Sequence, residues 1–431
     1  MIVLLVSLPL LLAALSLTRL HVEHLRAASV ACALGLLALT LWLAASPDSD
    51  PLSSWLLPMA GALWLLAVAV TPSSRLDRNG LRRTALAAAI TVATFSTREP
   101  ISLALAWAAS SAVFWRSLDP VTHSRARRVA AVHLAGSTAV LIAGVAFLTA
   151  SATDSLGERL GLALVLVAAL VRKGIFPFHT WLPEVFDTGR LGPAVQFSAP
   201  QVGTYVALVL VVPRVSPAVL AVAATLALIT TTYGAALALY QRDARRACGY
   251  LFVSQSALVM AGLECTSPVA LAGALVLWIS SAIAFSGIAR CVLLLEARRG
   301  RLDLNEYHGG YQDMPLLAVS FLVLGLACTG FPGTLGFIGG ELLVDGTTAA
   351  RPILGFTIVL AGAFTGLSVL RMYFSLFCGR RDHFAALHIR RREGIAFAGI
   401  AAFLIGTGIL PGPVVASRLH ASDAVIAQRL R

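Results

Sequence analysis

The chain has 431 residues, 58% of them hydrophobic and 13% charged, with a formal net charge of +12 and a mean hydropathy of +0.83. Soluble domains carry about 25% charged residues, so a soluble core is excluded. The chain also lacks the alternating ten-residue segments of a β-barrel. The charge is an arginine excess set between apolar runs, which points to anionic lipid headgroups and not to nucleic acid.

Apolar runs long enough to cross a bilayer as helices recur throughout. In chain order they cover 2–18, 27–46, 55–70, 84–97, 99–115, 129–150, 160–182, 193–212, 217–240, 246–263, 268–296, 314–344, 352–378 and 394–410. This predicts an all-α polytopic membrane protein of about fourteen transmembrane helices. The first run lacks a basic leader region and many spans follow it, so it reads as an anchor. With the N-terminus outside, 22 arginines fall in cytoplasmic connections, Arg380 and Arg381 among them, and 7 on the other side, Arg351 and Arg431 among them. That asymmetry places both termini on the outer side of a bacterial inner (plasma) membrane. The six cysteines form no C-x-x-C pair, so no metal or disulfide framework is expected. No G-x-G-x-x-G follows a strand, so neither a cofactor nor a catalytic site of the chain's own is expected.

Two spans differ from the rest. Span 7 holds Lys173, Gly174 and Pro177 in its middle and Pro183 near its end; span 12 holds Gly330, Pro332, Gly333, Gly336, Gly339 and Gly340. Proline removes a backbone donor and glycine loosens the chain, so both helices are predicted to break. Freed backbone groups at membrane depth need protein or a water-filled cavity around them. Two breaks five spans apart suggest paired repeats with an ion path at each, the alternative being packing kinks.

Of 33 basic side chains, Lys173 is the one lysine. Arginine holds its proton, whereas a desolvated lysine can release one, as a proton relay requires. A charge inside a span costs at least about 2.5–3.5 kcal/mol, so it usually marks an ion path; snorkelling is the alternative. Arg172 faces another side of the helix and reads as a structural or headgroup contact. His179 can pass protons but is equally a satisfied hydrogen-bonder. Glu184 reads as a proton-uptake carboxylate or a cap partner. Glu341 is the clearest acid at membrane depth in the C-terminal half. Arg290 in span 11 is its candidate opposite charge, or else an interfacial cation, and Arg371 in span 13 is a buried structural cation.

The segment Lys173-Gly-Ile-Phe-Pro-Phe-His-Thr-Trp-Leu-Pro-Glu184 resembles the signature of the antiporter-like, proton-translocating subunits of respiratory complex I (NADH:quinone oxidoreductase) and of multi-subunit cation/proton antiporters. Gln241-x-Asp243-x-Arg245-Arg246 with Tyr250, Ser254 and Gln255 is similar to that family's span 10. Gly330 to Glu341 is similar to its broken span 12, and Arg371 to Gly379 to its span 13. The resemblance runs from Thr84 to Gly379. It implies two inverted five-helix repeats with broken helices 7 and 12 around a hydrophilic axis. It also implies proton (or sodium) translocation coupled to a partner's redox or antiport chemistry, with Lys173 as the switch. On this scheme residues 1–83 form an N-terminal three-helix segment, 84–212 the first repeat, 213–378 the second, and 379–431 the last span and tail. The implied partners are other subunits of a membrane complex, the lipid bilayer and the transported ions.

The chain departs from the family pattern at the axis. Trp107 is followed by Ala108 where the family places a glutamate, with Ser110 and Ser111 nearby; Ser198 replaces the span-8 histidine; Ser281 and Phe285 replace the span-11 histidine and lysine. A proton path would then run through waters held by Ser110, Ser198, Gln201, Ser254 and Ser281. Three readings stay open: a translocating subunit, a non-pumping scaffold, and a proton-flux module for an inorganic-carbon uptake partner. A stand-alone permease would need a substrate pocket that the sequence does not display.

Overall fold

The computed structural model of the chain describes residues 2–46, 49–153, 155–263, 265, 267–348, 352–379 and 389–429. Arg351, Arg380, Arg381 and Arg431 lie outside the described residues. In chain order the helices are α1 (Ile2–Leu15), α2 (Val22–Ala44), α3 (Ser53–Val70), α4 (Arg78–Phe95), α5 (Pro100–Trp115), α6 (Ser124–Ala150) and α7 (Leu156–Lys173). There follow α8 (Trp181–Thr188), α9 (Leu191–Ser198), α10 (Val202–Val206) with a π turn over Ala207–Val211, α11 (Pro217–Tyr240), α12 (Ala244–Leu263) and α13 (Pro268–Arg299). The chain continues through α14 (Gly310–Asp313), α15 (Pro315–Thr329), α16 (Leu335–Thr348), α17 (Pro352–Phe377), α18 (Arg391–Ile409) and α19 (Gly412–Arg429). Among the described residues no strand forms; Asp243 and Asp303 make an isolated antiparallel bridge.

Among the described residues, 8 helices are long and apolar enough to cross a membrane. Other predicted spans miss that standard for physical reasons. Helices α1, α5 and α15 are apolar but short. Helix α7 carries Glu158, Arg159, Arg172 and Lys173 within its 18 residues. Span 12 is divided between α15 and α16.

The 32-residue α13 is the axis of the bundle, buried from Ala270 to Glu296. It packs against α3, α12, α15, α16 and α19. Small residues let α16 come close: a Cβ on Gly273 would lie 2.5 Å from the Leu343 nitrogen, and one on Gly339 2.8 Å from the Leu277 nitrogen. Such approaches supply the dense packing that binds helices in lipid, where no hydrophobic effect draws them together.

Charge divides the two ends of the bundle. At one end, the basic face, Arg245 grips Glu296 through Nε at 2.7 and 2.8 Å, and Arg75 lies 3.7 Å from the same carboxylate. On this face Arg298 pairs with Glu393 at 3.1 Å, Arg299 with Asp313 at 2.7 Å, and Arg125 with Glu184 at 2.6 Å. Arg301 binds both Asp187 and Asp243. Arg371 donates to the Leu239 and Gln241 carbonyls and ties α17 to the end of α11. The opposite end holds the Arg98–Asp50 pair and the amphipathic α19. Helix α19 is fixed there by buried Arg418, which donates to the Pro51 and Leu52 carbonyls and to Ser54, and by Arg429, which donates to the Val212 carbonyl at 2.8 Å. Sequence reasoning left residues 412–429 as a tail.

Candidate functional site

Helix α7 ends on Lys173 because Gly174 follows in the left-handed region at φ 69°. The Ile175 and Gly174 N–H groups return to the Leu170 and Val171 carbonyls, a Schellman-type cap that glycine makes accessible. Residues 174–180 run without helix before α8. The Phe176 N–H donates to Thr230 Oγ1 at 2.9 Å, and Trp181 Nε1 at the start of α8 donates to the Val171 carbonyl of α7 at 2.8 Å. Pro177, in a cis peptide bond with Phe176, sits on the exposed outer side of this turn.

Lys173 is 4% exposed. Its Nζ donates to the Ser256 carbonyl at 2.7 Å, to Gln201 Oε1 at 3.3 Å and to Thr204 Oγ1. These three oxygens are uncharged. Two of them come from a break that sequence reasoning did not predict. Span 8, expected as one helix over 193–212, is interrupted at Pro200–Gln201, where Gln201 takes φ 54°. The signal was Pro200, which forfeits a backbone donor in the middle of the run. The interruption turns Gln201 and Thr204 toward the lysine, and Gly203 leaves room for its stem: a Cβ there would lie 3.2 Å from Lys173 Cγ.

Arg172 faces the other side, as its helical offset requires, but it is buried and does not reach a headgroup. Its guanidinium stacks 4.3 Å over Trp107 and 4.4 Å over Phe197. It donates to Ser110 Oγ at 2.7 Å and Ser111 Oγ at 3.1 Å. A cation thus occupies the surroundings of Ala108, where the family pattern calls for an acid.

The remaining residues singled out from sequence lie as follows. His179 stacks on Phe176 and meets Tyr233 edge-on, with ring centroids 5.7 and 5.2 Å away. Glu184 pairs with Arg125 and lies 3.9 Å from Arg246, so it belongs to the basic face. Ser198 and Ser281 are buried and donate to the Ala194 and Trp278 carbonyls of their own helices. Asp243 caps α12, accepting from the Arg245 and Arg246 N–H groups at 2.9 and 3.2 Å.

Glu341 and Arg290 are not brought together. Glu341 is exposed on α16, and Asp345 one turn on is exposed with it. Glu341 lies near the level at which Leu277 of α13 meets α16, whereas Arg290 is thirteen positions further along α13, roughly 20 Å at 1.5 Å per residue. Arg290 instead lines a cavity of about 470 Å³ together with Arg75, Arg83, Arg190 and Arg245 and with Ser110, Gln196 and Phe197.

The second break repeats the first. Helix α15 ends at Thr329, Gly330 follows at φ 76°, and the Phe331 N–H returns to the Leu326 carbonyl at 2.9 Å. Pro332 and Gly333, the latter at φ 87°, complete the turn before α16. Thr329 stands where the first break has Lys173.

A family model described as "NADH:quinone oxidoreductase/Mrp antiporter, TM" matches residues 130–365. The chain is 25% identical over 270 residues to F(420)H(2) dehydrogenase subunit M of Methanosarcina mazei, covering 61% of this chain and 54% of that protein. It is 29% identical over 271 residues to NADH-quinone oxidoreductase subunit N of Chromohalobacter salexigens, covering 59% and 56%. The matches therefore span about half the length of these curated relatives. Among solved structures, the fold is similar to a chain of respiratory complex I from Thermus thermophilus with bound NADH, at TM-score 0.87 and 20% identity over 100% of both chains. It is also similar to a chain of the Mrp complex from Dietzia sp., at TM-score 0.85 and 16% identity over 99% and 97%.

Proposed function

Because this chain belongs to the NADH:quinone oxidoreductase/Mrp antiporter transmembrane family, we infer that it is a proton-translocating subunit of a multi-subunit membrane assembly with Lys173 as its switch. The observation that carries this reading is a buried lysine, at the end of an interrupted helix, held by three uncharged oxygens from α10, α12 and the turn before α10. As an ammonium it donates to all three oxygens; as a neutral amine it carries a lone pair to which the Thr204 hydroxyl can donate. When it gives up its proton, no buried carboxylate among those three contacts is left unpaired.

In this reading α7 with α8 and α15 with α16 are the two broken spans among about fourteen, and 84–212 and 213–378 are inverted repeats. The matching glycine caps at Gly174 and Gly330 support the pairing. The arginine-rich face is cytoplasmic by charge asymmetry, which places both termini outside. Ser110, Ser198 and Ser281 hold water along the axis. Glu184 accepts protons at the basic face, His179 passes them beside the first break, and Glu341 works at the contact with a neighbouring subunit. We take the transported ion to be a proton, which the buried amine can bind and release, with sodium as the alternative.

The test is proton flux in vesicles containing the native assembly. Lys173→Ala is expected to abolish coupled flux while the assembly still forms. Unchanged flux would favour the second reading, a non-pumping scaffold, which Ala108, Phe285 and Thr329 support by placing no titratable group at three family or repeat-related axis positions. Flux that depends on bicarbonate supply would favour a role beside an inorganic-carbon uptake partner.

A further inference from the structure

The cavity beneath the basic face has an electrostatic imbalance that translocation through Lys173 does not use. Five arginines line it: Arg75, Arg83, Arg190, Arg245 and Arg290. Two carboxylates answer them. Glu296 is shared by Arg245 and Arg75, and Asp77 lies 3.7 Å from Arg190. At the mouth, burial first and then Arg190 and Arg245 lower the pKa of His123. Burial likewise lowers that of Arg75, with Arg245 and Arg190 adding to the effect against Glu296. Arg75 and His123 are thus already crowded by neighbouring arginines.

Arg290 is the decisive group. It is 2% exposed and lines the cavity; its Nε has no hydrogen-bond partner, and its side chain makes no ion pair to any described residue. Removing a charge from water without a partner costs several kcal/mol, so buried arginines end on carboxylates or carbonyls. Arg172 and Arg418 in this chain satisfy that rule with hydroxyls and carbonyls. Arg290 has its guanidinium at the edge of a space large enough for an ion and its waters. A guanidinium presents a planar fork of donors matched to a phosphate or carboxylate edge.

We propose that this cavity binds a small oxyanion of the phosphate type, anchored by Arg290 at its depth and by Arg83 and Arg190 toward its mouth. The source is either inorganic phosphate or the headgroup of an anionic phospholipid reaching in from the basic face. The anion neutralises Arg290 and lowers the repulsion among the other four arginines. The proposal concerns binding and stands apart from whether Lys173 carries protons.

The experiment uses the full chain in its native assembly, extracted in mild detergent and transferred to nanodiscs of phosphatidylcholine alone or with phosphatidylglycerol. Radiolabelled inorganic phosphate is titrated in the first, and lipid retained per chain is read by native mass spectrometry in the second. Saturable phosphate binding in phosphatidylcholine identifies the free anion; one tightly retained phosphatidylglycerol per chain identifies the lipid. In either arm Arg290→Gln is expected to weaken binding by about tenfold or more, as loss of a buried charge-assisted bond does, with Arg290→Lys recovering part of it. Should Arg290→Gln fail to assemble, the double variant Arg83→Gln/Arg190→Gln is expected to weaken binding in a correctly assembled complex. Arg159→Gln, exposed near the start of α7, is expected to leave binding unchanged. The proposal is overturned if wild type binds neither phosphate nor phosphatidylglycerol above phosphatidylcholine. It is equally overturned if binding survives both the Arg290 and the double substitution undiminished.

Discussion

Lys173 and Arg172 are neighbours in sequence, yet they answer to different surroundings. Lys173 was legible because it is the one lysine in an arginine-rich chain. Its partners were not, because a backbone carbonyl of α12 carries no sequence signature and Thr204 becomes a partner only through the turn at Gln201. Lys173→Arg keeps the charge but cannot release it, so we expect assembly to survive and flux to be lost, as a dye-quenching assay would register. Gly203→Val would press branched methyls on the lysine stem and is expected to destabilise by about 1–3 kcal/mol and reduce flux. The setting of Glu341 was not legible because lipid-facing and protein-facing positions are equally apolar around it; packing leaves its side of α16 open. Glu296, which sequence reasoning passed over, is the buried partner of Arg245. Glu296→Gln leaves that arginine without its counter-charge and is expected to cost about 3–5 kcal/mol, seen as a fall in the thermal midpoint of the solubilised protein.

At the scale of elements, α7 and α15 each stop at a glycine in the left-handed region, Gly174 and Gly330. Gly174→Ala and Gly330→Ala are each expected to destabilise by about 1–2 kcal/mol, since an L-residue resists that conformation. Gly340→Ala, whose added methyl meets nothing within 4 Å, is expected to be neutral or slightly stabilising by comparison of thermal midpoints. The interruption between α9 and α10 was missed because one proline in an apolar run is common in membrane helices and usually only kinks them. The two breaks also differ chemically. The first ends on an amine and the second on the hydroxyl of Thr329, so only the first places a titratable side chain immediately before its glycine.

For the whole molecule, the sequence conveyed an all-helical chain, the order of its apolar segments and the gathering of arginine on one face. It did not convey which helix is central, because the burial of α13 depends on neighbours brought from distant parts of the chain. Orientation is open to a direct check. With native thiols replaced, Ser216→Cys before α11 is expected to react with a membrane-impermeant maleimide on intact cells, and Ser124→Cys at the basic end of α6 only after lysis. The basic face has a further consequence for how the protein is made. Its ion pairs join early helices to late ones: Arg75 waits for Glu296, Arg298 for Glu393, and Glu23 for Arg392. While the ribosome is still delivering the middle of the chain, Arg75 stands without Glu296, and Arg298 then waits for Glu393, whereas Glu23 already has Arg26 on its own helix. Emergence of α18 closes the last of them, so the newborn chain becomes durable only near the end of its own translation. Glu393→Gln should therefore shorten the lifetime of newly made protein in a pulse-chase far more than it changes the behaviour of molecules already assembled.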